Sequence, residues 1–338
     1  MAADRQMIET LREEAEQTVS NASQTDLGNF VNIQRKLDLF YVDCMMHVDY
    51  EMSDIKWDSK DVLGQGSFAE VYFGVLKLAD GSSVDVALKK SRDKVEAKTV
   101  TDILLEDRTM REVKHENFIE YYGNALLQKK NRHTYWIMIM ECCVGSLKDV
   151  FVDNSQYKVD NPATCKAFGE REKAIRNMAE YAVQLCNGIS FLHSKKMVHR
   201  DLKLENVLIS SKKVVKLTDV GLTKPEVDIA GTITGSPVYM APEVLIPTGV
   251  YNRTADIYSL GIMIWEMWYG TDAADHVSPR LHNESIETFV ERGDRPSLSK
   301  IERPDADWIQ LIEACWCKNP NRRPSAKDVL IFFKKFIK

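Results

Sequence analysis

The residues best suited to chemistry lie in the segment MVHRDLKLENVLI, residues 197–209. Asp201 can accept a hydroxyl proton, and the amide oxygen of Asn206 can bind a metal ion. Lys203 places a positive charge between them, which suits a transferring phosphoryl group. So many ionisable residues in an apolar stretch are hard to explain as an ordinary polar turn. We therefore interpret the segment as a catalytic loop.

A second candidate metal ligand is Asp219 in LTDVGLT, residues 217–223, which follows the strand pattern VVKLT. A carboxylate is a hard oxygen ligand, and here it suits Mg²⁺ that bridges the phosphates of ATP. Two further motifs follow, YMAPE with Glu243 and CWCKNPNRRPS with Arg323.

A glycine loop precedes these motifs, in GQGSFAEVYFG between two predicted strands. Gly64 and Gly66 would let the backbone approach a phosphate, with main-chain N–H groups as donors. On its own the pattern favours an ordinary glycine-containing hairpin. The strand–turn–strand context argues against a Rossmann site, in which a helix should follow.

The pattern VALKK predicts a strand with two lysines on opposite faces. We expect Lys90 on a solvated face and Lys89 on the other, where a buried ammonium needs anionic partners. A phosphate and a helix carboxylate would serve. Glu106 in TDILLEDRTMREV is the candidate carboxylate, and Glu112 and Asp107 are its solvated alternatives.

The elements that must position these residues change type along the chain. Strand patterns dominate from Trp57 to about Met140, interrupted by a helical stretch from about Val100 to Val113, and helices dominate from Leu147 onward. This order predicts an α+β protein of two lobes. The first is small and β-rich with one main helix, the second is larger and mostly helical, and a cleft between them would hold a ligand.

The predicted domain covers residues 54–338, with its first lobe at about 54–143 and its second at about 144–338. Residues 1–53 form a predicted helical extension. Apolar residues at helical spacing predict two amphipathic helices within residues 1–50. These helices either dock on the following domain or form a separate partner-binding or dimerising segment.

Composition excludes several other classes. The 338-residue chain has a net charge of −5, which gives no electrostatic reason to expect nucleic acid or an anionic membrane as a partner. We expect no transmembrane segment, because no apolar run approaches the roughly 20 residues that a span requires. The seven cysteines show no regular spacing, which favours reduced thiols and a cytoplasmic protein.

Taken in order, these motifs resemble the eukaryotic protein kinase family, from about Trp57 to Phe336. The resemblance implies the bilobal protein kinase fold and the use of ATP and Mg²⁺. Two positions depart from the family pattern. Ala69 stands where a third glycine is expected, and Val220 stands where Phe usually follows the metal-binding Asp.

The resemblance implies a role for each candidate residue. Asp201 is implied to be the catalytic base, and Lys203 to steady the γ-phosphate. Lys89, paired with Glu106, is implied to hold the α- and β-phosphates. The implied ligands of Mg²⁺ are Asn206 and Asp219. Met140 is the implied gatekeeper, and Glu141 to Cys143 form the implied hinge. The residues implied to bind the nucleotide are Leu63, Gly64, Gln65, Gly66, Ser67, Val71, Ala87, Lys89, Met140, Glu141, Cys142, Cys143 and Leu208.

The type of protein substrate follows from finer features. Lys203 and Ser236 are typical of serine/threonine-specific members, whereas CWCKNPNRRPS resembles the tyrosine-kinase-like group. The run from HRDLKLENVL to GSPVYMAPE is most similar to the branch of dual serine/threonine and tyrosine protein kinases. The resemblance implies transfer to Ser or Thr hydroxyls of protein substrates in intracellular signalling, with Tyr left open as an acceptor.

Regulation is implied by Arg200, because in the family an arginine before the base contacts a phosphorylated activation segment. Thr232, Thr234 and Ser236 lie in that segment and are the candidate phosphosites, with Thr232 the first choice. Exposed threonines that merely fill the loop are the alternative.

Two implied features concern packing. Glu243 and Arg323 are implied to form a buried ion pair with a structural role. Val220 leaves the carboxylate of Asp219 in place, but it is smaller than the Phe that fills this space in the family. We therefore expect a working metal site with a looser switch between active and inactive forms, and Val220→Phe should shift that balance without creating or abolishing Mg²⁺ binding.

Two classes of function remain. The first is an active protein kinase, favoured because Lys89, Asp201 and Asp219 are all present. The alternative is a pseudokinase, a nucleotide-binding scaffold that acts by protein–protein interaction. Phosphorylation of a small molecule is disfavoured, because the APE motif and the activation segment serve to dock a polypeptide.

Overall fold

The computed structural model describes residues 48–66, 69–95, 97–129, 133–153, 155–219, 224–225, 237–245, 251–281, 284–298 and 304–337. The chain divides into two compact units. They comprise Met1–Lys114 with Glu120–Cys142, and His115–Ile119 with Cys143–Lys338. The helices predicted within residues 1–50 lie almost wholly outside the described residues, so the division at residues 53 and 54 stays a prediction.

The first unit is an antiparallel sheet with one helix. Its described elements are β1 (Ile55–Gln65), β2 (Ala69–Lys77), β3 (Ser83–Ser91), α1 (Ala97–Glu112), β4 (Tyr121–Gln128) and β5 (Thr134–Glu141). The strand order is β1-β2-β3-β5-β4, so β1 and β4 are the edges. The predicted helix is present and begins at Ala97 rather than at Val100.

The two faces of this sheet differ in character. Val71 pairs directly with Lys89, and Ala87 pairs with Met140. Directly paired residues share a face, as do residues two apart on one strand, so these four side chains lie on the same face. The opposite face forms the hydrophobic core of the unit, whose buried members include Tyr72, Leu76, Val86, Leu88, Ile137 and Ile139.

Lys90 lies on the core face and not on a solvated face, so that prediction was wrong. The residue is 6% exposed. Its ammonium pairs with Glu70 and lies 5.5 Å and 5.4 Å from the ring centroids of Tyr72 and Tyr135. The hydrogen bond from Lys90 lowers the pKa of Glu70. Alternation separated the two lysines correctly, but the face opposite Lys89 is the core and not the surface.

The second unit is mostly helical. Its described elements are β6 (Gly145–Ser146), α2 (Leu147–Phe151), α3 (Phe168–Ser194), β7 (Met197–Val198), β8 (Val207–Ile209), β9 (Val215–Leu217), β10 (Lys224–Pro225), α4 (Thr254–Tyr269), α5 (Ala273–Val277), α6 (Ile286–Arg292), α7 (Ala306–Cys315) and α8 (Ala326–Phe333). Helix α4 has 14 of its 16 residues buried. Such burial on all sides is what its almost wholly apolar sequence predicts.

Helix α4 also buries a carboxyl group, that of Glu266, which is 1% exposed. Its oxygens contact the hydroxyl of Tyr239 at 2.8 Å, and Oε1 accepts the backbone N–H of Ala273 at 2.9 Å. Burial raises the pKa of Glu266 to about 8. The group is therefore protonated at neutral pH. Because Oε1 accepts from Ala273, the proton belongs on Oε2, where it faces Tyr239.

Glu266→Gln is expected to remove one pH dependence of stability. The folded pKa lies above the ordinary value of 4.5, so folding takes up a proton between about pH 4.5 and pH 8. The free energy of unfolding should therefore fall across this interval, by up to about 1.4 kcal/mol per pH unit, and level off above it. Glutamine mimics the protonated acid and cannot titrate, so the variant should lose this fall and be the more stable protein at pH 8.

Denaturant unfolding between pH 5 and pH 9 measures this effect. Glu291→Gln, an exposed change on α6 of the same chemistry, serves as the control and should keep the wild-type pH profile. Identical profiles for Glu266→Gln and wild type would contradict the assignment of a raised pKa.

Candidate active site

The lysine of β3 and the glutamate of α1 meet. Lys89 Nζ lies 2.8 Å from Glu106 Oε1, and the two side chains are 18% and 21% exposed. The lysine is therefore fixed on the sheet face that it shares with Val71, Ala87 and Met140. The pairing implied by the resemblance is present, and the roles of the two residues in phosphate binding stay a prediction.

Asp107 is not a solvated alternative to Glu106, and that expectation was wrong. It is 4% exposed. Its carboxylate accepts hydrogen bonds from Tyr121, from Asn124 and from Arg111. Successive side chains on a helix point about 100° apart, so the carboxylates of Glu106 and Asp107 lie in different surroundings and contact different partners. Glu112 is exposed, as expected.

The glycine loop closes a hairpin, since the N–H of Gly66 donates to the carbonyl of Ala69 at 2.9 Å. A Cβ on Gly64 would meet nothing within 4 Å, and one on Gly66 would meet only that carbonyl at 3.7 Å. Neither glycine is among those with positive φ. The described chain thus gives no internal reason for glycine at these two positions, which fits a loop left open for a ligand such as a phosphate.

The other residues implied to bind nucleotide are distributed over both units. Leu63 and Gln65 lie on β1, Met140 and Glu141 end β5, and Cys142 follows them in the first unit. Cys143 and Leu208 belong to the second unit, where Leu208 lies on β8. Ser67 lies outside the described residues.

The predicted catalytic loop brings three of its candidates together. The carboxylate Oδ2 of Asp201 accepts a hydrogen bond from Asn206 Nδ2 at 2.8 Å and lies 3.1 Å from Lys203 Nζ. Asn206 Nδ2 also donates to the carbonyl of Asp201 at 2.8 Å. A 3₁₀ turn at Leu204–Asn206 returns the chain and makes this contact. One oxygen of Asp201 is thus committed to the loop, and Oδ1 is the oxygen suited to act as a base.

Asp256, at the start of α4, holds the backbone of this loop through hydrogen bonds. It is 1% exposed and accepts the backbone N–H groups of His199 and Arg200, each at 3.0 Å, together with His193 Nε2 at 2.8 Å. Burial raises its pKa, but the hydrogen bond and charge of His193 outweigh burial and hold the pKa of Asp256 below its ordinary value. Asp256 is therefore an ionised anchor.

The anchor explains an unusual backbone. Arg200 has φ 74, a left-handed conformation that is costly for a residue with a side chain. The two N–H groups held by Asp256 belong to Arg200 itself and to the residue before it, and these hydrogen bonds stabilise the conformation. The sequence motifs did not predict a role for Asp256. The available signal was an ionisable residue in the first turn of a mostly apolar helix.

The candidate metal ligands lie close together. The N–H of Thr218 donates to the carbonyl of Asn206 at 3.1 Å, and Asp219 follows with φ 59. Because the amide nitrogen of Asn206 donates to Asp201, its amide oxygen is the atom available to a cation. Among the described residues no three His, Cys, Asp or Glu side chains form a metal site. This donor set fits Mg²⁺, which uses one or two protein oxygens together with phosphates and water.

Several predicted residues lie outside the described part of the chain. They are Val220 and the candidate phosphosites Thr232, Thr234 and Ser236. Arg200, implied to contact that segment, donates from Nε to the hydroxyl of Tyr251 at 2.7 Å.

The structural ion pair implied by the resemblance is confirmed. Arg323 and Glu243 form two hydrogen bonds of 2.6 and 2.8 Å, and the arginine side chain is fully buried.

Comparison with known proteins agrees with this geometry. The model of the protein tyrosine and serine/threonine kinase family matches residues 57–333. The dual serine/threonine and tyrosine protein kinase of Bos taurus is 32% identical over 277 residues, which are 81% of this chain and 28% of that protein. The human protein is 31% identical over 81% of the chain and 27% of its own length. A third, from Pimephales promelas, is 36% identical over 151 residues, 44% of this chain and 16% of that protein.

The chain therefore spans little more than a quarter of the length of the Bos taurus relative. None of the helices formed by the described residues is long and apolar enough to cross a membrane. The α+β architecture, a β-sheet unit followed by a helical unit, agrees with the matched family across most of the chain. Motifs, fold and comparisons lead to the same conclusion: the chain belongs to the protein kinase family.

Proposed function

We propose that the chain is an active protein kinase that transfers the γ-phosphoryl group of Mg-ATP to Ser or Thr hydroxyls of protein substrates. The observation that supports it most is the geometry of Asp201, whose Oδ2 is held by Asn206 and Lys203. This leaves a fixed carboxylate oxygen for the proton of a substrate hydroxyl. Tyr is proposed as a further acceptor, because the named relatives are dual serine/threonine and tyrosine protein kinases.

Each candidate residue has a separate role in the proposed reaction. Lys89, oriented by Glu106, binds phosphate oxygens, and Lys203 offsets the charge that develops on the transferred group. Asp201 orients the acceptor hydroxyl and takes its proton. Asn206 and Asp219 would hold Mg²⁺, which when bound neutralises phosphate charge. Catalysis then consists mainly of positioning and electrostatic stabilisation.

The wider setting belongs to the same proposal. Residues 54–338 form the kinase domain and residues 1–53 an extension that docks on it or binds a partner. We propose a cytoplasmic signalling enzyme that acts on proteins, with Thr232 as the first candidate for an activating phosphosite.

The test is transfer of labelled phosphate from ATP and Mg²⁺ to peptides that carry Ser, Thr or Tyr. We expect transfer to Ser and Thr peptides, with weaker or no transfer to Tyr. Asp201→Asn controls for contaminating kinases, since equal activity in the variant would assign the signal to another protein. A wild-type chain that binds nucleotide but transfers no phosphate would support the scaffold instead.

A further inference from the structure

One side chain, Asp49, joins the segment before β1 to helix α1 and to strand β4. Its Oδ2 accepts hydrogen bonds from Arg111 Nη2 at 2.5 Å and from the backbone N–H of Asn124 at 3.0 Å. Its Oδ1 accepts from Arg111 Nη1 at 3.3 Å. Beside it, the N–H of Tyr50 donates to the carbonyl of Asn124 at 3.2 Å. A two-fold arginine–carboxylate contact is strong and directional, so this attachment has a defined geometry.

Strand β4 leaves a space that Asp49 fills. The register of β4 shifts between Tyr121 and Gly123, and Gly123 has φ 142. A Cβ on Gly123 would lie 2.4 Å from Asp49 Oδ2, closer than atoms can approach. Only glycine combines this backbone with this space. The backbone of the sheet edge therefore specifies the position of Asp49.

Arg111 also binds a second carboxylate, that of Asp107. Its Nε donates to Asp107 Oδ2 at 2.7 Å, and Asp107 accepts from Tyr121 and from Asn124 Nδ2. Burial and the charge of Asp107 raise the pKa of Tyr121, so its hydroxyl remains a donor. The last turn of α1 is thus held to β4 through two carboxylates, one on the helix itself and one from the segment before the sheet.

The same helix carries Glu106, one residue before Asp107. Over so few residues a helix moves as a rigid body, so whatever fixes Arg111 also fixes Glu106 relative to the sheet that carries Lys89. We infer that Asp49 is a positioning residue for phosphoryl transfer, which acts through Arg111 to keep Glu106 paired with Lys89. This inference rests on the proposed kinase function.

Asp49→Asn in the full chain tests the inference. With its amide oxygen in the place of Oδ2, the variant still accepts the N–H of Asn124 and one N–H of Arg111. Its NH₂ group then faces Arg111 Nη1, and the negative charge is gone, so the sheet contact stays and the two-fold charged contact to the helix is lost. We expect kcat to fall about 5- to 30-fold, with an unchanged KM for the peptide. In a Glu106→Gln background the same change should lower kcat by less than about twofold, because the pairing that Asp49 supports is already absent.

Two further variants complete the test. Asp54→Asn removes a carboxylate from the same segment that, among the described residues, accepts the nearby N–H of Glu51, and it should leave kcat unchanged. Gly123→Ala places a Cβ where the carboxylate of Asp49 lies and so displaces Asp49. This variant should lower kcat as Asp49→Asn does, and it should likewise have little effect on kcat in the Glu106→Gln background. An equal kcat loss in both backgrounds would show a general structural role and overturn the inference.

Hydrogen exchange of α1 gives a readout that needs no activity. Its amides should exchange faster in Asp49→Asn than in wild type or Asp54→Asn. Unchanged exchange would overturn the anchoring of α1 by Asp49. A wild-type chain without transferase activity would instead overturn the proposed function, so the two failures are distinguishable.

Discussion

Asp201→Asn is expected to lower kcat by about 100- to 10,000-fold while the fold and nucleotide binding are retained. The variant can turn its amide oxygen toward Asn206 and Lys203, which now contact Oδ2. Its NH₂ group then occupies the place of Oδ1, where it can donate a hydrogen bond but cannot accept a proton. The loop keeps its shape and loses its base.

Steady-state kinetics with a Ser or Thr peptide measures the loss in kcat, and a fluorescent ATP analogue measures nucleotide binding. Asp275→Asn, an exposed change on α5, is the control and should match wild type in both measurements. If Asp201→Asn lost nucleotide binding as completely as activity, Asp201 would act in binding and the assignment of a base would be wrong.

Arg323→Met is expected to lower the free energy of unfolding by about 3–5 kcal/mol. The guanidinium makes two hydrogen bonds to Glu243 and donates to the carbonyls of Cys317 and Thr254 at 2.8 and 3.0 Å. Its removal leaves a carboxylate in a mostly buried place without its cation. Since whole domains are stable by about 5–15 kcal/mol, the variant should approach the limit of folding.

Denaturant unfolding measures this change, with Arg322→Met, at the exposed neighbouring position, as the control. Adding Glu243→Gln to Arg323→Met should restore part of the loss, because the uncompensated charge is then removed. A double variant no more stable than Arg323→Met would show that the lost packing and carbonyl contacts dominate, and not the charge left on Glu243.

Local patterns were sufficient for much of the fold and site. Alternation along β3 separates Lys89 from Lys90, and the spacing within HRDLKLEN places Asn206 beside Asp201. These contacts depend on the pleat of one strand or on one turn of chain. The strand and helix assignments of the first unit rest on the same local periodicity.

Contacts between distant segments were not predictable in the same way. Lys90 was misassigned because alternation does not tell which face of a sheet is covered. Asp107 was misassigned because its partners Tyr121 and Asn124 come from a strand that packs on α1 only after folding. Asp256 received no role for the same reason, since its hydrogen bonds reach back to the catalytic loop.

Helix α4 has a consequence for the order in which parts of the protein open. Because 14 of its 16 residues are buried, we expect its amide hydrogens to exchange mainly when the second unit unfolds as a whole. Asp256 binds the loop of Asp201 to this helix through two backbone N–H groups. The loop that we propose to be catalytic is therefore attached to an element that should open slowly, and it should keep its geometry through the local fluctuations of the surrounding chain.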